Sequence, residues 1–351
     1  MKDQMQAAVY HGPEDIRVES IPIPEIGEDE ILLKVLNANI CGTDLRIFHG
    51  GHRMYPEGTI RVPGHEVVGV IAEVGGEVKK YQVGDRVFIA PNMGEDDSPE
   101  TLSGNNNLDP NFKAFGINLD GAFAEYMHVP AEAIRQGNVM PVNDDQDPAV
   151  AALIEPLACV VRGQNAVRLG RGDVVVVMGA GPIGVLHMLL AKARGAACVL
   201  VSEPVENRRK QALALGADRV IDPLSENIGD VVMEVSDGRG ADVVIVAAPS
   251  KPAQESALEI AGVGGRINLF GGLPKDDPTI RFNSNTVHYK ELIVTGTTAC
   301  STQDCKQAAE LVNSGVLDLK PLITSRFPLS EAPAAFKAAA DGTNLRVSLT
   351  I

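Results

Sequence analysis

A glycine-rich turn between an apolar strand and a helix constrains this chain more than any other feature of its sequence. The apolar run Val174–Met178 is typical of a buried strand, GAGPIG follows at 179–184, and apolar residues then recur at helical spacing to residue 194. The three glycines allow a tight turn, close approach of a pyrophosphate to the backbone, and close packing of helix on strand. The N-terminus of the helix also offers N–H donors to phosphate groups. The segment therefore predicts a dinucleotide-binding site.

An acidic residue stands where such a site needs one. Glu203 follows the second predicted strand, 203 − 184 = 19 residues after the last glycine, and a carboxylate at this offset accepts hydrogen bonds from the adenosine ribose. A carboxylate would repel a 2′-phosphate, so the sequence favours NAD over NADP. Arg208 either covers the adenine or ribose, which we favour, or belongs to a solvated helix face. The predicted cofactor-binding residues are Gly179, Gly181, Pro182, Ile183, Gly184, Glu203, Arg208, Phe270, Gly271 and Thr297.

The remaining pattern divides the chain into two kinds of domain. Before residue 150, turn formers separate short β-type runs, which is typical of a barrel or sandwich. From residue 150, continuous apolar strands alternate with helices, which predicts a parallel sheet covered on both faces. Helices are expected near 301–314 and 330–340, in a tail that packs back onto the first domain. The predicted early strands are 6–10, 16–21, 30–37, 67–74, 86–90 and 122–129.

Composition excludes several classes of protein. The formal charge is 31 − 46 = −15, and this acidic balance argues against nucleic-acid binding, which needs clustered Lys and Arg. There is no apolar stretch near the start that resembles an export signal, and no apolar run approaches the roughly 18 residues of a membrane span. The few, widely spaced cysteines do not resemble a disulfide framework, so we expect a reduced, cytoplasmic location. They are Cys41, Cys159, Cys198, Cys300 and Cys305.

Three short segments carry potential metal ligands: CGTD at 41–44, PGHE at 63–66 and EPLAC at 155–159. Thiolate, imidazole and carboxylate groups all bind zinc, and three protein ligands with one open position form a catalytic zinc site. Each residue alone has an ordinary structural explanation, such as buried packing for a cysteine or a helix cap for Glu155. The segment 92–121, rich in Asn, Asp, Gly and Pro, is expected to be a solvated surface loop.

Taken together, these segments resemble the zinc-dependent medium-chain alcohol and polyol dehydrogenases over essentially the whole chain. The matching stretches include CGTD, GHEVVGVIAEVGGEVKKYQVGDRV, DGAFAEY, IEPLACVV, GAGPIG and KPLITSRFPL. The resemblance implies a GroES-like catalytic domain at 1–149 and 298–351 and a doubly wound Rossmann domain at 150–297. The EPL segment is most similar to the sorbitol and galactitol-phosphate branch.

The resemblance implies roles for individual residues. Cys41, His65 and Glu155 occupy the positions of the catalytic zinc ligands. Glu66 matches an acid that either binds zinc or hydrogen-bonds its water, and the sequence leaves open whether Glu66 or Glu155 binds directly. Asp44 matches an acid that orients the histidine ligand. The implied catalytic residues are Thr43, which accepts the alcohol proton, and Glu155 and Glu66, which help to exchange water at the metal.

Two departures from the family pattern qualify this expectation. The segment 92–112 lacks the four cysteines that hold a structural zinc in many members, so we expect one zinc per subunit. Arg46 stands where many members have a relay histidine, and arginine cannot act as a base near neutral pH. The proton path beyond Thr43 therefore stays open, with His49 and His52 as candidates by their nearness in sequence.

The resemblance also implies the reaction, in which a zinc-acidified alcohol passes hydride to nicotinamide. The expected substrate is a polyol, sugar acid or sugar phosphate. Ala299 replaces an arginine of the sorbitol-type enzymes, and Arg46 either recognises a carboxylate or phosphate through its fork of donors or contacts cofactor phosphate or a surface acid. The positions predicted to face the substrate are Arg46, Phe115 and Ala299.

Three alternatives remain at this level. CGTDLRIF is similar to the L-threonine dehydrogenases, so oxidation of an amino alcohol competes with polyol oxidation. A nonenzymatic NAD-binding protein on the same fold is a third possibility.

The oligomeric state is a separate expectation. The predicted sheet edge at 266–270 and 286–296 is open to strand addition, and we expect a homodimer or homotetramer without deciding between them.

Overall fold

The computed structural model describes residues 3–351. The chain forms two compact units: unit 1 comprises the residues up to Ala158 together with Cys300–Ile351, and unit 2 comprises Cys159–Ala299. The boundaries expected from the sequence, after residues 149 and 297, both lie slightly earlier than these divisions. The elements are numbered along the chain and apply to the described residues.

Strands make up most of the regular structure before residue 150 and alternate with helices after it. The strands are β1 (Gln4–Gly12), β2 (Asp15–Pro22), β3 (Ile31–Ile40), β4 (Glu66–Val74), β5 (Arg86–Ile89), β6 (Asn92–Met93), β7 (Lys113–Ala114), β8 (Tyr126–Val129), β9 (Val139–Pro141), β10 (Val174–Met178), β11 (Cys198–Ser202), β12 (Arg219–Ile221), β13 (Ala241–Val246), β14 (Ala261–Leu269), β15 (Ile293–Gly296), β16 (Ile323–Pro328) and β17 (Arg346–Thr350).

The helices are mostly short in unit 1 and longer in unit 2. They are α1 (Gly42–Phe48), α2 (Pro99–Leu102), α3 (Ala131–Arg135), α4 (Pro148–Ala151), α5 (Ile154–Ala166), α6 (Pro182–Ala193), α7 (Glu206–Ala214), α8 (Ile228–Val235), α9 (Lys251–Ile260), α10 (Ser284–Tyr289), α11 (Thr302–Asn313) and α12 (Ala332–Ala340). Three 3₁₀ turns lie at Asn106–Leu108, Lys320–Leu322 and Leu329–Glu331. Within residues 3–351, no helix has the length and apolarity needed to cross a bilayer.

Unit 1 is built on a seven-stranded sheet of order β16-β17-β3-β4-β5-β9, with β8 also paired to β3. Strand β17 lies antiparallel to β3, with Val347 opposite Ile40 and Thr350 opposite Asn37. The tail therefore packs back onto the first part of the chain, as the sequence predicts. Because β17 completes this sheet, it places residue 346 beside the end of β3, where the Cys41 segment begins.

The core of unit 1 fixes the helix that follows Cys41. Phe336 of α12 lies with its ring 5.3 Å from Phe48 of α1 and 5.7 Å from Phe123. The Phe123 ring also packs against Gly64, where a Cβ atom would come within 2.8 Å of it and where φ is +99°. Only glycine tolerates this conformation and this closeness, so Gly64 sets the path of the chain into His65.

Unit 2 is an entirely parallel six-stranded sheet of order β12-β11-β10-β13-β14-β15. Its central strands β10 and β13 are largely buried and rich in valine and isoleucine. Such continuous apolar sequences are expected of strands in a sheet that is covered on both faces. The predicted combination of a β-rich GroES-like domain with an α/β Rossmann domain is confirmed.

The segment 92–121 differs from the expected solvated loop. It buries Asn92, Asn106 and Asp109, because backbone and side-chain groups satisfy their polar atoms. The Asp109 carboxylate accepts hydrogen bonds from the N–H groups of Glu95 and Asn111 at 2.8 and 2.7 Å. Polar composition alone therefore gave the wrong expectation for these buried residues, whereas most of the segment is exposed or half-buried.

Candidate metal centre and cofactor site

Asp44 joins two of the sequence segments that carry potential ligands. It is fully buried in the first turn of α1. One oxygen, Oδ2, accepts a hydrogen bond from the N–H of Cys41 at 2.8 Å, and the other, Oδ1, accepts one from the N–H of Gly64 at 3.2 Å. Oδ1 also lies 3.5 Å from His65 Nδ1. Asp44 thus stands behind the imidazole, in the place from which a carboxylate orients a histidine ligand.

Cys41, His65 and Glu66 form a cluster whose ligand atoms all lie within 4.8 Å of one another. Burial opposes ionisation of Cys41, but the neighbouring His65 and Arg346 lower the pKa of its thiol overall. Burial likewise opposes protonation of His65, yet Asp44 and Cys41 raise its pKa well above the usual value. These opposite pKa shifts favour a Cys41 thiolate beside a protonated His65 imidazole. A divalent cation that binds both groups would displace the imidazole proton.

Glu66 is a buried carboxylate with an arginine partner that sequence reasoning missed. Arg346 Nη1 lies 3.0 Å from Glu66 Oε1 and also donates a hydrogen bond to the carbonyl of Ile40 at 3.1 Å. The ion pair is not aligned as a hydrogen bond, so among residues 3–351 neither oxygen of Glu66 has a hydrogen-bond donor. Burial raises the pKa of Glu66 well above its usual value, and Arg346 opposes that rise. The signal available was a single charged residue, Arg346, at the start of the otherwise uncharged terminal strand β17.

Glu155 lies in the first turn of α5 and is buried. Its Oε1 is 3.7 Å from the Sγ of Cys300, which follows the second unit division. Its charge contributes to the pKa shifts of Cys41 and of Glu66. The structure therefore brings three of the four predicted zinc ligands, Cys41, His65 and Glu66, within 4.8 Å of one another and places the fourth, Glu155, in the same unit.

The other predicted residues of unit 1 lie in different settings. Thr43 is half-buried in the first turn of α1, whereas Arg46 in its last turn is exposed. Phe115 is buried in the apolar core of unit 1. Ala299 is exposed with φ of +51° and ends unit 2.

The two histidines considered for the proton relay, His49 and His52, differ in burial. His49 is exposed, and its Nδ1 lies 3.5 Å from Glu14. His52 is half-buried, and its Nδ1 accepts a hydrogen bond from the N–H of Met54 at 3.3 Å. Burial, the charges of Arg46 and Arg53, and then His65 lower the pKa of His52. Of the two histidines, His52 is the more buried.

The glycine turn of unit 2 has the predicted geometry. Gly179 has φ of +108° and donates its N–H to the carbonyl of Ser202 at 2.7 Å. Gly181 is the N-cap of α6, and Pro182 opens the helix. A Cβ atom on Gly184 would lie 1.9 Å from the Gly179 oxygen, so the close packing of helix on strand requires glycine there. Ile183 follows Pro182 in the first turn of the same helix.

Glu203 is buried at the end of β11 and bridges two loops. Its Oε2 accepts a hydrogen bond from the N–H of Ala180 at 2.8 Å, and its Oε1 accepts one from the N–H of Val205 at 3.0 Å. An ionised carboxylate has about four acceptor sites, so capacity for a ribose hydroxyl remains. Arg209 turns back onto this loop and donates to the carbonyl of Glu203 at 2.8 Å. Arg208 is half-buried on α7.

The remaining predicted cofactor residues lie at the same edge of the sheet. Phe270 and Gly271 follow β14 and donate their N–H groups to the carbonyl of Val246 at 3.1 and 2.8 Å. Thr297 follows β15 and donates its hydroxyl to Asn268 Oδ1 at 3.3 Å. The carboxyl ends of parallel strands form the edge at which open α/β sheets bind ligands. Unit 2 therefore gathers the predicted residues at one candidate dinucleotide site.

Comparison with known proteins identifies the family. A model described as "Alcohol dehydrogenase GroES-like domain" matches residues 27–144, and one described as "Zinc-binding dehydrogenase" matches residues 182–314. An L-threonine 3-dehydrogenase from Thermococcus kodakarensis is 36% identical and aligns with 93% of this chain and 92% of its own length.

Solved structures agree with this family. A zinc-binding dehydrogenase from Sinorhizobium meliloti 1021, bound to NADP, has a TM-score of 0.91 at 30% identity and full coverage of both chains. The 2R,3R-butanediol dehydrogenase from Bacillus subtilis has a TM-score of 0.88 at 26% identity and 99% coverage of each chain. The predicted resemblance is confirmed, and it favours an enzyme over the nonenzymatic alternative. The chain belongs to the zinc-dependent medium-chain dehydrogenases and is a nicotinamide-linked oxidoreductase acting on CH–OH groups.

Proposed function

We propose that this enzyme oxidises a secondary alcohol of a polyol, sugar acid or sugar phosphate to a ketone, with NAD as hydride acceptor and one catalytic zinc per chain. The observation that carries the proposal is the cluster of half-buried Cys41 with buried His65 and Glu66, with Asp44 behind it. One thiolate, one imidazole and nearby carboxylates form the donor set of a catalytic zinc site. The oxygens of Glu66, buried without a hydrogen-bond donor in the described chain, fit a site completed by a cation.

We assign the third protein ligand to Glu155 rather than to Glu66. The Glu66 carboxylate already forms an ion pair with the buried Arg346 at 3.0 Å, although neither of its oxygens accepts a hydrogen bond in the described chain, and Glu155 is a buried carboxylate at the position that the family resemblance assigns to a ligand. Glu66 then acts as the acid that approaches the metal when water or substrate exchanges. Substitution of Glu155 by Ala should weaken zinc binding more than substitution of Glu66.

Zinc and nicotinamide, when bound, supply the acidification of the alcohol and the acceptance of hydride. The chain itself provides the orientation of the ligands and the path of the proton. Asp44 holds the His65 ring, and Thr43, in the same turn of α1, accepts the hydroxyl proton. His52 is our candidate for the next group along this path, because it is half-buried and burial, Arg46 and Arg53 lower its pKa, whereas His49 is exposed.

Substrate class rests on the charges beside this path. Arg46 and Arg53 are exposed, and both act on His52. Two guanidinium groups in a chain of net charge −15 favour an anionic substituent on the substrate. This supports a sugar acid or sugar phosphate over a neutral polyol.

L-Threonine is the second candidate. The T. kodakarensis relative is named L-threonine 3-dehydrogenase and aligns with 93% of this chain. The carboxylate of an amino acid would meet the same two arginines. The Bacillus neighbour is named for a diol. If this enzyme preferred a neutral diol as substrate, the two arginines would have no role in substrate recognition.

NAD is proposed over NADP because the buried Glu203 lies where the adenosine ribose is expected. The Sinorhizobium structure holds NADP, so the assay should compare NAD with NADP. A panel of polyols, sugar acids, sugar phosphates, butanediol and L-threonine should be tested with each cofactor by nicotinamide absorbance. Turnover only with threonine, or only with neutral diols, would replace the proposed substrate class.

Loss of ligands provides the matched test of the metal. Cys41→Ala or His65→Ala should abolish turnover and leave NAD binding within about threefold, since the glycine turn is in unit 2. Cys198→Ala, which removes a half-buried thiol from β11, is the control. Equal loss of turnover and NAD binding would contradict the proposed division of roles.

We also propose a homodimer or homotetramer in the cytoplasm. Strand β15 is an edge strand, and Ile293 on it and the nearby Tyr289 are exposed. An apolar strand edge is a surface for pairing with another copy. Analytical ultracentrifugation should give two or four chains, and a monomer at micromolar concentration would reject the assembly.

A further inference from the structure

An arginine on α7 holds the turn that carries Glu203. Arg209 Nη1 donates hydrogen bonds to the carbonyl of Glu203 at 2.8 Å and to the carbonyl of Pro204 at 2.6 Å. These two residues belong to the link between β11 and α7. Because one planar guanidinium binds two successive carbonyl groups, it restricts the backbone of this turn.

The turn also fixes the carboxylate of Glu203. Its Oε2 and Oε1 accept hydrogen bonds from the N–H groups of Ala180 and Val205. The backbone N–H of Glu203 donates to the carbonyl of Ile221 at 3.0 Å. Arg209 adds a restraint at the Glu203 carbonyl, and it therefore helps to position the acid that we expect at the adenosine ribose.

Arg209 is also paired with an acid that follows the neighbouring strand. Its Nη2 lies 3.1 Å from Oδ2 of Asp222, the residue directly after β12. The two side chains are only 15% and 24% exposed, so water and salt screen this ion pair less than one on the open surface. Asp222 therefore offsets much of the positive charge of Arg209.

Hydrogen bonds within its own loop orient Asp222 toward the arginine. Asp222 Oδ1 accepts a hydrogen bond from the N–H of Leu224 at 3.0 Å. The backbone N–H of Asp222 donates to Glu226 Oε2 at 3.0 Å, and Glu226 Oε1 accepts a hydrogen bond from Arg219 at 3.1 Å. One carboxylate oxygen of Asp222 thus binds its own loop, while the other faces Arg209.

These contacts bear on the choice of cofactor. An arginine near the adenosine ribose is a usual means of accommodating the 2′-phosphate of NADP, because a guanidinium binds phosphate through charge-assisted hydrogen bonds. Arg209 contacts the backbone of Glu203, the acid expected at this ribose, so its guanidinium is near the place where a 2′-phosphate would lie. Its ion pair with Asp222 opposes that use.

We propose that Arg209 and Asp222 together determine specificity for NAD: Arg209 positions the Glu203 turn, and Asp222 holds the Arg209 guanidinium away from the 2′-phosphate of NADP. This inference rests on the proposed preference for NAD. Without the charge of Asp222, the same arginine becomes a phosphate-binding group, so a single substitution should move the enzyme toward NADP.

The test measures binding of ADP-ribose and of its 2′-phosphate derivative to the full chain by isothermal titration calorimetry. Neither ligand carries nicotinamide, so the result does not depend on turnover. Wild type should bind ADP-ribose more tightly than the derivative. Asp222→Asn should tighten binding of the derivative by about tenfold, the effect of one charge-assisted hydrogen bond, and change that of ADP-ribose by less than about threefold.

Two further variants show whether the gain comes from Arg209. Arg209→Met should weaken binding of ADP-ribose by roughly threefold to tenfold, because the Glu203 turn loses two hydrogen bonds. The double variant Arg209→Met/Asp222→Asn should lose the gain for the 2′-phosphate derivative. Glu206→Gln is the matched control, since it removes one negative charge from α7, where Glu206 pairs with exposed Lys210 at 2.7 Å. It should leave the ratio of the two affinities unchanged.

The outcomes separate this inference from the proposed function. If wild type binds the 2′-phosphate derivative as tightly as ADP-ribose, the proposed preference for NAD fails and the inference fails with it. If wild type prefers ADP-ribose but Asp222→Asn gains nothing for the derivative, only the inference is overturned. A gain that persists in the double variant also overturns it, because the charge then acts without Arg209. If Arg209→Met does not fold, Arg209→Gln, which keeps an amide donor but no charge, replaces it in the double variant.

Discussion

A neutral histidine inside unit 2 should make this enzyme sensitive to moderate acid. His187 on α6 is fully buried, and its ring meets Phe270 edge-on at 4.7 Å. Neither ring nitrogen has a hydrogen-bond partner among the described residues. Burial, together with the charge of Arg194, lowers the pKa of His187 from 6.5 to about 3.

The direction of the effect follows from proton binding. Between pH 6.5 and 3 the unfolded chain binds a proton at His187 and the folded chain does not, so stability falls as pH falls through this range. The loss is about 1.4 kcal/mol per pH unit well below 6.5. Between pH 7.5 and 5.0 it amounts to about 2 kcal/mol.

His187→Leu removes this titration and a buried unpaired polar group. At pH 7.5 the variant should be as stable as wild type or more so, and at pH 5.0 its advantage should grow by about 2 kcal/mol. Urea unfolding followed by circular dichroism at both pH values gives the difference in unfolding free energy between the variant and wild type. The contributions of the other acid-sensitive groups are common to both proteins and cancel in this difference. His288→Leu, an exposed histidine of the same unit, is the control. An advantage that changes by less than about 0.5 kcal/mol between the two pH values would refute the reasoning.

Three further predictions test the sites. Asp44→Asn should weaken zinc binding by roughly 10- to 100-fold, since His65 loses its charged partner, and an unchanged affinity in a chelator competition would reject that role. Arg346→Met should destabilise the metal-free protein by about 3–5 kcal/mol in urea unfolding, because Glu66 is left buried without its cation, and adding Glu66→Leu should recover much of this loss. Glu203→Gln should reduce the preference for NAD over NADP in kcat/KM by about tenfold, or about 1.4 kcal/mol, and an unchanged ratio would remove Glu203 from cofactor selection.

Local patterns were sufficient for the features that depend on neighbouring residues. The glycine turn and Glu203 lie where the strand and helix spacing placed them, and the predicted strand 67–74 matches β4 at Glu66–Val74 almost residue for residue. The predicted run 122–129 is shorter in the structure, because only Tyr126–Val129 pairs continuously with β3. Its earlier part, at Ala124, makes an isolated bridge to Ala7.

Features that depend on distant pairing could not be read in this way. Arg346 reaches Ile40 across 306 positions of sequence, and Asn92 reaches Cys300 across 208, so no local spacing indicates either contact. Helix α5 was not predicted because its residues are buried on nearly every side, which removes the amphipathic period that marks a helix. The metal residues were recognisable only through the family resemblance of three separate segments.

The position of β17 in its sheet has a consequence for synthesis. This strand lies between β16 and β3, so the principal sheet of unit 1 has a gap until residues 346–350 leave the ribosome. Unit 2 is continuous from Cys159 to Ala299 and has all its strands earlier. A nascent chain arrested with residue 340 just outside the exit tunnel should therefore resist protease in unit 2 while the zinc-ligand segments of unit 1 are still cleaved, and protection of both units at that length would show that assembly does not wait for the last strand.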